Sequence, residues 1–433
     1  MSYVALDLDG RSQTAQETQL DVIARMFHSR FSNPADSSEF EYASHNGFIE
    51  IPRMVEEEMA NKIIRPLLTT ETELQPLWQK DVHRVLQMRQ VGFLDSFYFA
   101  AQPHTKLSDD EVEICVKSAG LNFKDVLIAS GALPSPLNLG LECAGTIARV
   151  GGKVLGLEVG DRVCALGLST FATHARVSSR YTVKIPQTTD FSVTASIPTV
   201  FTTAYYCIYI AGALKPGEVV LIHPAAGGLG QACLKMAQDI GARIIATCGS
   251  PEKVKFLQTA YGLPQDHILN SRSYRYESQV MRITKGRGVD VLINDQAGDG
   301  LREGWACMGM FGRFVDVAER DSIENASLPM AQSAKGVTYL PVPLDLYMDH
   351  QQESLAYALQ EGTALVFEGK MTPIEPITTF KMSEVEKAFR FMQSGKHIGK
   401  IVLNLDDDDQ VKVGLSMQSP IVIIVLKLLL GYY

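Results

Sequence analysis

The chain has 433 residues, 46% of them hydrophobic and 21% charged, with a formal net charge of −9. This is a globular composition, long enough for more than one domain, and its acidic balance argues against a nucleic-acid partner. Seven cysteines stand singly, with no C-x-x-C pair. That spacing excludes a disulfide framework and points to a reducing compartment, the cytoplasm.

In chain order, residues 1–80 read as a polar prelude. Early acidic residues and the lack of a long apolar run exclude a secretory signal. Leu20, Ile23, Phe27 and Phe31 share one face of a predicted helix after Ser12, and residues 48–52 read as a short strand. Residues 81–205 are β-rich, with strands predicted at Glu111–Val116, Gly145–Val150, Arg162–Leu166 and Ala172–Val177 between Gly and Pro turns. Over 206–341 strands and helices alternate. Arg243–Thr247, Val289–Asn294 and Gly312–Val317 read as buried strands, so this region is predicted to be a doubly wound parallel α/β sheet. Residues 342–413 return to strand character at Ile374–Phe380 and Lys400–Leu405, with a helix at Ser383–Met392 between them. The last stretch, 414–433, is an apolar tail. Its run is shorter than the roughly 20 residues a spanning helix needs, and Lys427 interrupts it. A membrane anchor is therefore disfavoured against a surface strand or the relic of a further domain.

The segment Val219–Gln231 carries the most chemistry. A β-branched run ends in the turn Ala225-Ala226-Gly227-Gly228-Leu229-Gly230, and Leu234, Met236, Ala237 and Ile240 then recur at helical spacing. Strand, glycine turn and helix are the context of a dinucleotide fingerprint. Gly227 would admit a pyrophosphate, Gly230 would let the helix pack on the strand, and the helix N-terminus would offer free N–H groups. Ala225 replaces the first glycine, so an ordinary glycine turn is an equal reading of this motif alone.

The next strand discriminates between nucleotides. An NAD site would place a carboxylate about 20 residues after the fingerprint to hold the ribose 2′-OH. Here Gly249, Ser250 and Lys253 stand there instead. A hydroxyl and an ammonium suit a 2′-phosphate, so NADPH is the expected cofactor. Ser250 also reads as the cap of a helix over Pro251–Ala260, and the two roles are compatible.

Several further motifs occur in order: Gly120-Leu-Asn-Phe-Lys-Asp-Val126, Gly140-Leu-Glu-Cys-Ala-Gly145, Gly160-Asp-Arg-Val163, Thr202-Thr-Ala-Tyr205, Gly286-Arg-Gly-Val-Asp290 and Gly395-Lys-His-Ile-Gly-Lys-Ile-Val402. Together with the glycine turn, the set resembles the medium-chain dehydrogenase/reductases. The closest resemblance is to the enoyl reductase domain of fungal highly reducing polyketide synthases, over residues 81–413. The prelude is similar to the segment that precedes that domain. The resemblance implies a Rossmann domain inserted in a GroES-like β-rich domain, and NADPH-dependent reduction of an enoyl thioester. The implied partner is an acyl carrier protein or a polyketide synthase, with a homodimer left open. The apolar ending in place of further synthase domains reads as a module acting in trans. A quinone or enone reductase of the same superfamily and a non-catalytic remnant are the alternatives.

Zinc members of the superfamily use Cys and His where this chain has Asn122 and Leu141, so no metal is expected. Cys143 and Cys164 read as small core residues, and His223 and His397 as structural histidines. The resemblance places Thr203 and Asn294 at the nicotinamide and Asn122, Lys124 and Asp125 on the facing loop. Lys124 would donate a proton or stabilise an oxyanion, with a solvated pair to Asp125 as its alternative. Two segments depart from the family. Asn294-Asp-Gln-Ala-Gly298 replaces Asn-Ser-Leu-Ala-Gly, and Ala318-Glu-Arg-Asp321 replaces Gly-Lys-x-Asp, so that of the proton-transfer candidates there only Asp321 carries over. Glu319 reverses a charge, with pairing to Arg320 as its bland reading. Asp295 either disfavours a developing enolate or acts as an acid.

Overall fold

The computed structural model describes residues 72–133, 138–273, 275–318 and 320–414, with three short backbone strands nearer the N-terminus. The chain divides into two compact units, residues 1–69 with 420–433, and residues 70–419. In the first, β1 (Ala5–Leu8) runs parallel to β2 (Glu41–His45), which pairs antiparallel with β3 (Phe48–Glu50). The expected strand at 48–52 is thus present. The expected helix after Ser12 and the tail 415–433 lie outside the described residues.

The second unit opens with β4 (Thr72–Pro76), β5 (His83–Met88) and β6 (Phe97–Gln102). Next come β7 (Glu111–Leu121), helix α1 (Phe123–Ser130), β8 (Glu142–Val150), β9 (Arg162–Leu166), β10 (His174–Ser178) and β11 (Thr182–Lys184). Helix α2 (Pro198–Tyr205) leads into the alternating region. That region holds β12 (Val219–His223), α3 (Gly228–Ile240), β13 (Arg243–Cys248), α4 (Pro251–Tyr261), β14 (Ile268–Asn270), β15 (Val289–Asn294), β16 (Met308–Asp316) and β17 (Thr338–Pro341). The chain returns through α5 (Leu344–His350), α6 (Gln352–Phe367), β18 (Ile377–Lys381), α7 (Val385–Gln393), β19 (Lys400–Asn404) and β20 (Gln410–Gly414).

Six strands form a parallel sheet in the order β14-β13-β12-β15-β16-β17. The order reverses direction on either side of β12, so a crevice opens at the carboxyl ends of β12 and β15, where such sheets bind ligands. All five residues of β12 are buried, as a strand covered by helices on both faces requires. Strands β7 to β11 form a seven-stranded sheet with β18 and β19, in which β19 pairs antiparallel with β7. Its core includes Ile114, Val116, Leu121, Phe389 and Ile401. Strands β4, β5, β6 and β20 make a separate four-stranded sheet. Six of the nine predicted strands from 111 onward begin within about two residues of an observed strand. The β18 ladder starts at Ile377 rather than Ile374, because Pro376 has no N–H to give it.

Among the described residues one helical stretch, Phe191–Ala211, is long and apolar enough to cross a bilayer. Its Phe201, Ala204, Cys207 and Ile208 are fully buried in the protein, which makes it a core element here. Helix α6 packs on it so closely that a Cβ at Gly362 would lie 2.7 Å from the Phe201 carbonyl oxygen.

Candidate cofactor and substrate site

The glycine turn sits at the carboxyl end of β12. The Ala225 N–H donates to the Thr247 carbonyl at 2.9 Å, tying the turn to β13. A Cβ on Gly230 would lie 2.2 Å from the Pro224 carbonyl oxygen, so α3 can approach the strand only with glycine there. A Cβ on Gly227 would meet nothing within 4 Å. The backbone at that point faces open space, and no side chain caps α3. Free amides of Gly228, Leu229 and Gly230 beside an open glycine suit a pyrophosphate. The loop before β19 closes the other side: the Gly399 N–H donates to the Ala226 carbonyl at 3.0 Å.

At the exit of β13, Ser250 accepts from the Lys253 amide at 3.4 Å and caps α4, with Pro251 at its first position. The Lys253 ammonium donates to the Gly395 carbonyl at 2.8 Å. Arg272, just after β14, lies across Gly249, its Nε 2.9 Å from where a Cβ would stand. Burial lowers the Lys253 pKa, and the charge of Arg272 lowers it further. The partly buried Lys253 ammonium and the exposed Arg272 guanidinium beside it favour an anion between them. Sequence reading missed Arg272 because it follows a different strand; its only signal is a basic residue three positions after the short apolar run Ile268-Leu269.

At the other end of the crevice, Asn294 is fully buried. Its Nδ2 donates to the Gln296 carbonyl and to Asp316 Oδ1, both at 2.7 Å, so the side chain fastens the carboxyl ends of β15 and β16 together. The Thr203 hydroxyl donates to the Thr199 carbonyl at 2.7 Å within its own helix. Asp295 opens to solvent on one side, yet the protein around it is dense. Burial, and then the charge of Asp316, push its carboxyl up to about 7. Asp321 is buried and accepts from the Gly298 N–H at 2.7 Å, pinning the turn after β15. Glu319 lies outside the described residues, and Arg320 pairs with Glu324 at 3.7 Å. His223 is buried between the Thr247 hydroxyl at 2.6 Å and the Tyr276 hydroxyl at 3.2 Å. It is a satisfied structural histidine, as expected. His397 differs, since its Nδ1 is buried without a partner.

The facing loop gives the clearest correction. Lys124 does not pair with Asp125. Its ammonium meets Asp345 of α5 at 2.5 Å. Asp125 turns inward, where it accepts from the Asn122 N–H at 2.9 Å and the Gly140 N–H at 2.8 Å. Burial raises its carboxyl to about 7 against the pull of those two bonds. The local reason is the capping box at the start of α1, which draws the third helical residue back toward Asn122.

Asn122 belongs to a buried cluster. Its Nδ2 donates to Glu142 Oε1 at 2.9 Å, and its Oδ1 accepts from the Lys400 ammonium at 2.5 Å. Lys400 is 2.6 Å from Glu142 Oε1, with the two side chains 4% and 0% exposed. The other Glu142 oxygen accepts from the Thr199 amide at 2.8 Å. The Lys400 stem passes 3.4 Å from the Cβ position of Gly228, so this pair lies under the first turn of α3. Sequence reading missed Lys400, although it stands in the Gly395–Val402 motif. The arrangement does not fit zinc. The available donors are an amide and one carboxylate, and an ammonium already occupies that carboxylate.

Comparison with known proteins matches this geometry. Residues 108–187 match the alcohol dehydrogenase GroES-like domain, and residues 263–403 match the zinc-binding dehydrogenase family. The chain is 39% identical over 363 residues to highly-reducing polyketide synthase 1 of Aureobasidium melanogenum, covering 84% of this chain. It is 38% identical over 417 residues to a highly reducing polyketide synthase of Talaromyces stipitatus, covering 95% of this chain. It spans only 16% of the length of either relative. The crystal structure of the CurK enoyl reductase superposes with a TM-score of 0.68 at 34% identity, covering 75% of this chain and 100% of that one. With the parallel sheet, the open glycine turn and these matches, the chain belongs to the medium-chain dehydrogenase/reductase superfamily, among the enoyl reductases of polyketide synthases.

Proposed function

We propose that the chain reduces the α,β-double bond of an acyl thioester carried by a polyketide synthase, with NADPH as reductant, in the cytoplasm. The observation that carries this reading is the Asn122–Glu142–Lys400 cluster. It puts an ion pair where the zinc enzymes hold their metal, so a carbonyl or alcohol would find no Lewis acid. A conjugated enoyl thioester needs none, because its own oxygen takes up the charge as hydride arrives, and hydrogen-bond donors suffice to stabilise it. Bound reduced nicotinamide would supply the hydride.

The chain's own residues do the rest. Gly227 and the amides of Gly228, Leu229 and Gly230 would hold the pyrophosphate. Ser250, Lys253 and Arg272 would hold the 2′-phosphate, which supports NADPH over NADH. Asn294 fastens the ends of β15 and β16 at the crevice, and Thr203 and Asn122 would stand at the nicotinamide and on the facing side. Lys124 stands in the first turn of α1, and its ammonium would stabilise the developing enolate or protonate it. Asp321 serves through the turn it pins.

The test is turnover of crotonyl thioester and of a free enone, each with NADPH and with NADH. The expected result is reduction of the thioester, faster with NADPH. Reduction of the enone alone would make the chain a quinone or enone reductase, and no turnover of either would make it a non-catalytic remnant.

A further inference from the structure

Along the carboxyl edge of the parallel sheet, Ser250 and Arg272 follow β13 and β14, the glycine turn follows β12, and Asn294 ends β15. The strand order continues in the same direction through β16 to β17. Beyond Asn294 on this line is a cavity of about 130 Å³. The helix Asp299–Ala306 gives it Leu301 and Arg302, the segment after β16 gives Ser322, Ser327 and Leu328, and β17 gives Tyr339. Two hydrogen bonds join this lining to the crevice. The Tyr339 hydroxyl donates to Asp316 Oδ2 at 2.5 Å, and Asp316 Oδ1 accepts from Asn294 Nδ2 at 2.7 Å.

A single water needs only roughly 10–15 Å³, so the cavity admits a small organic group. Its lining is mixed. Leu301 and Leu328 are apolar, the Ser327 hydroxyl can give and take a hydrogen bond, and Arg302 keeps donors free after its bond to Asp299 Oδ1 at 3.1 Å. A hydrocarbon chain would strip water from these polar groups and return no hydrogen bond. An anion would meet the Asp321 carboxyl, which also lines the cavity. A neutral group that carries an amide beside branched methyls satisfies both halves of the lining.

We infer that this cavity holds the outer half of the pantetheine arm that carries the enoyl thioester. On this assignment its outer amide bonds Ser327 and Arg302, and its dimethyl carbon lies between Leu301 and Leu328. That half of the arm stands several bonds from the sulfur, as a cavity set back from Asn294 by two hydrogen bonds requires. Binding there acts on a part of the substrate remote from the reacting carbons and can be spent on holding them in place. This rests on the enoyl reductase reading and extends it to the carrier side of the substrate.

The test compares kcat/KM for crotonyl-pantetheine and crotonyl-N-acetylcysteamine. Both carry the same enoyl thioester, and only the first has the outer amide and the dimethyl carbon. Neither has the adenine nucleotide of a coenzyme A thioester, which the cofactor site could take. The wild type should prefer crotonyl-pantetheine about tenfold. Ser327→Tyr, which fills the cavity, and Arg302→Ala should each remove most of that preference and leave the short thioester within about twofold. Both side chains are exposed, so the variants should melt with the wild type. A wild type without the preference, or variants that slow both thioesters alike, would overturn the assignment. If the wild type reduces neither thioester, the enoyl reductase reading fails. Calorimetry then decides the cavity separately: crotonyl-pantetheine binding that weakens in Ser327→Tyr supports it, and binding that is absent or unchanged overturns it.

Discussion

Lys253 and Arg272 show how a pair of side chains sets cofactor choice. Each charged hydrogen bond to a phosphate is worth on the order of 1.5–3 kcal/mol, so removing either cation should weaken NADPH tenfold or more. NADH has no 2′-phosphate and should bind nearly unchanged. Titrations of both nucleotides against Lys253→Ala and Arg272→Ala would check this, and equal weakening of the two would show that neither residue reads the phosphate. Lys253 was legible in the sequence because it shares a short segment with the strand exit. Arg272 and Asp345 were not, because the fold brings each to its partner across strands and helices that local pattern does not connect. The Lys124–Asp125 pairing failed for a related reason. A capping box competes for the same carboxylate, and a carboxylate already bonded to two buried amides is unavailable to a neighbouring ammonium.

At the scale of elements, the glycine turn separates folding from binding within four residues. Gly230→Ala places a methyl 2.2 Å from the Pro224 carbonyl oxygen, which the rigid turn cannot yield. It should cost about 1–3 kcal/mol and lower the melting temperature. Gly227→Ala adds a methyl that meets no protein atom within 4 Å, on a backbone with φ −79 that alanine accepts. It should melt like the wild type and lose NADPH affinity, because the methyl fills the space of the pyrophosphate. Thermal melts with and without NADPH distinguish the two, and a Gly227→Ala variant with full affinity would place the pyrophosphate elsewhere. Strands β12, β13, β15 and β16 of the parallel sheet were legible because buried β-branched runs between glycine turns have few other readings, whereas the short edge-side strands β14 and β17 were not read. The β4–β6 sheet and helices α5 and α6 were not, because they are fixed by what they pack against.

For the molecule as a whole, buried titrating groups oppose each other. Burial holds His174 and His223 near 4, so both are neutral in the folded protein. Unfolding between pH 4 and 6.5 protonates them, and their contribution to stability, full above 6.5, is lost as pH falls through that window. Asp125, raised to about 7, acts in reverse. It stays protonated in the folded protein where the unfolded chain ionises, and the stability it contributes is lost as pH rises through 7. His174 stacks on His83 at 3.6 Å, near the Arg149–Glu113 pair, far enough into the β-rich part to be changed alone. His174→Gln should therefore show a smaller drop in melting temperature from pH 7 to pH 5 than the wild type, and an identical drop would remove His174 from the account.

The central claim is that this fold delivers hydride to an enoyl thioester without a metal. The most direct measurement is turnover of crotonyl thioester with NADPH deuterated at its transferable position, in the presence of a chelator, with the product read by mass spectrometry. The account predicts a saturated butyryl thioester carrying one deuterium at the β-carbon. An unlabelled or unreduced acyl chain, or label that appears only when zinc is added back, would contradict it.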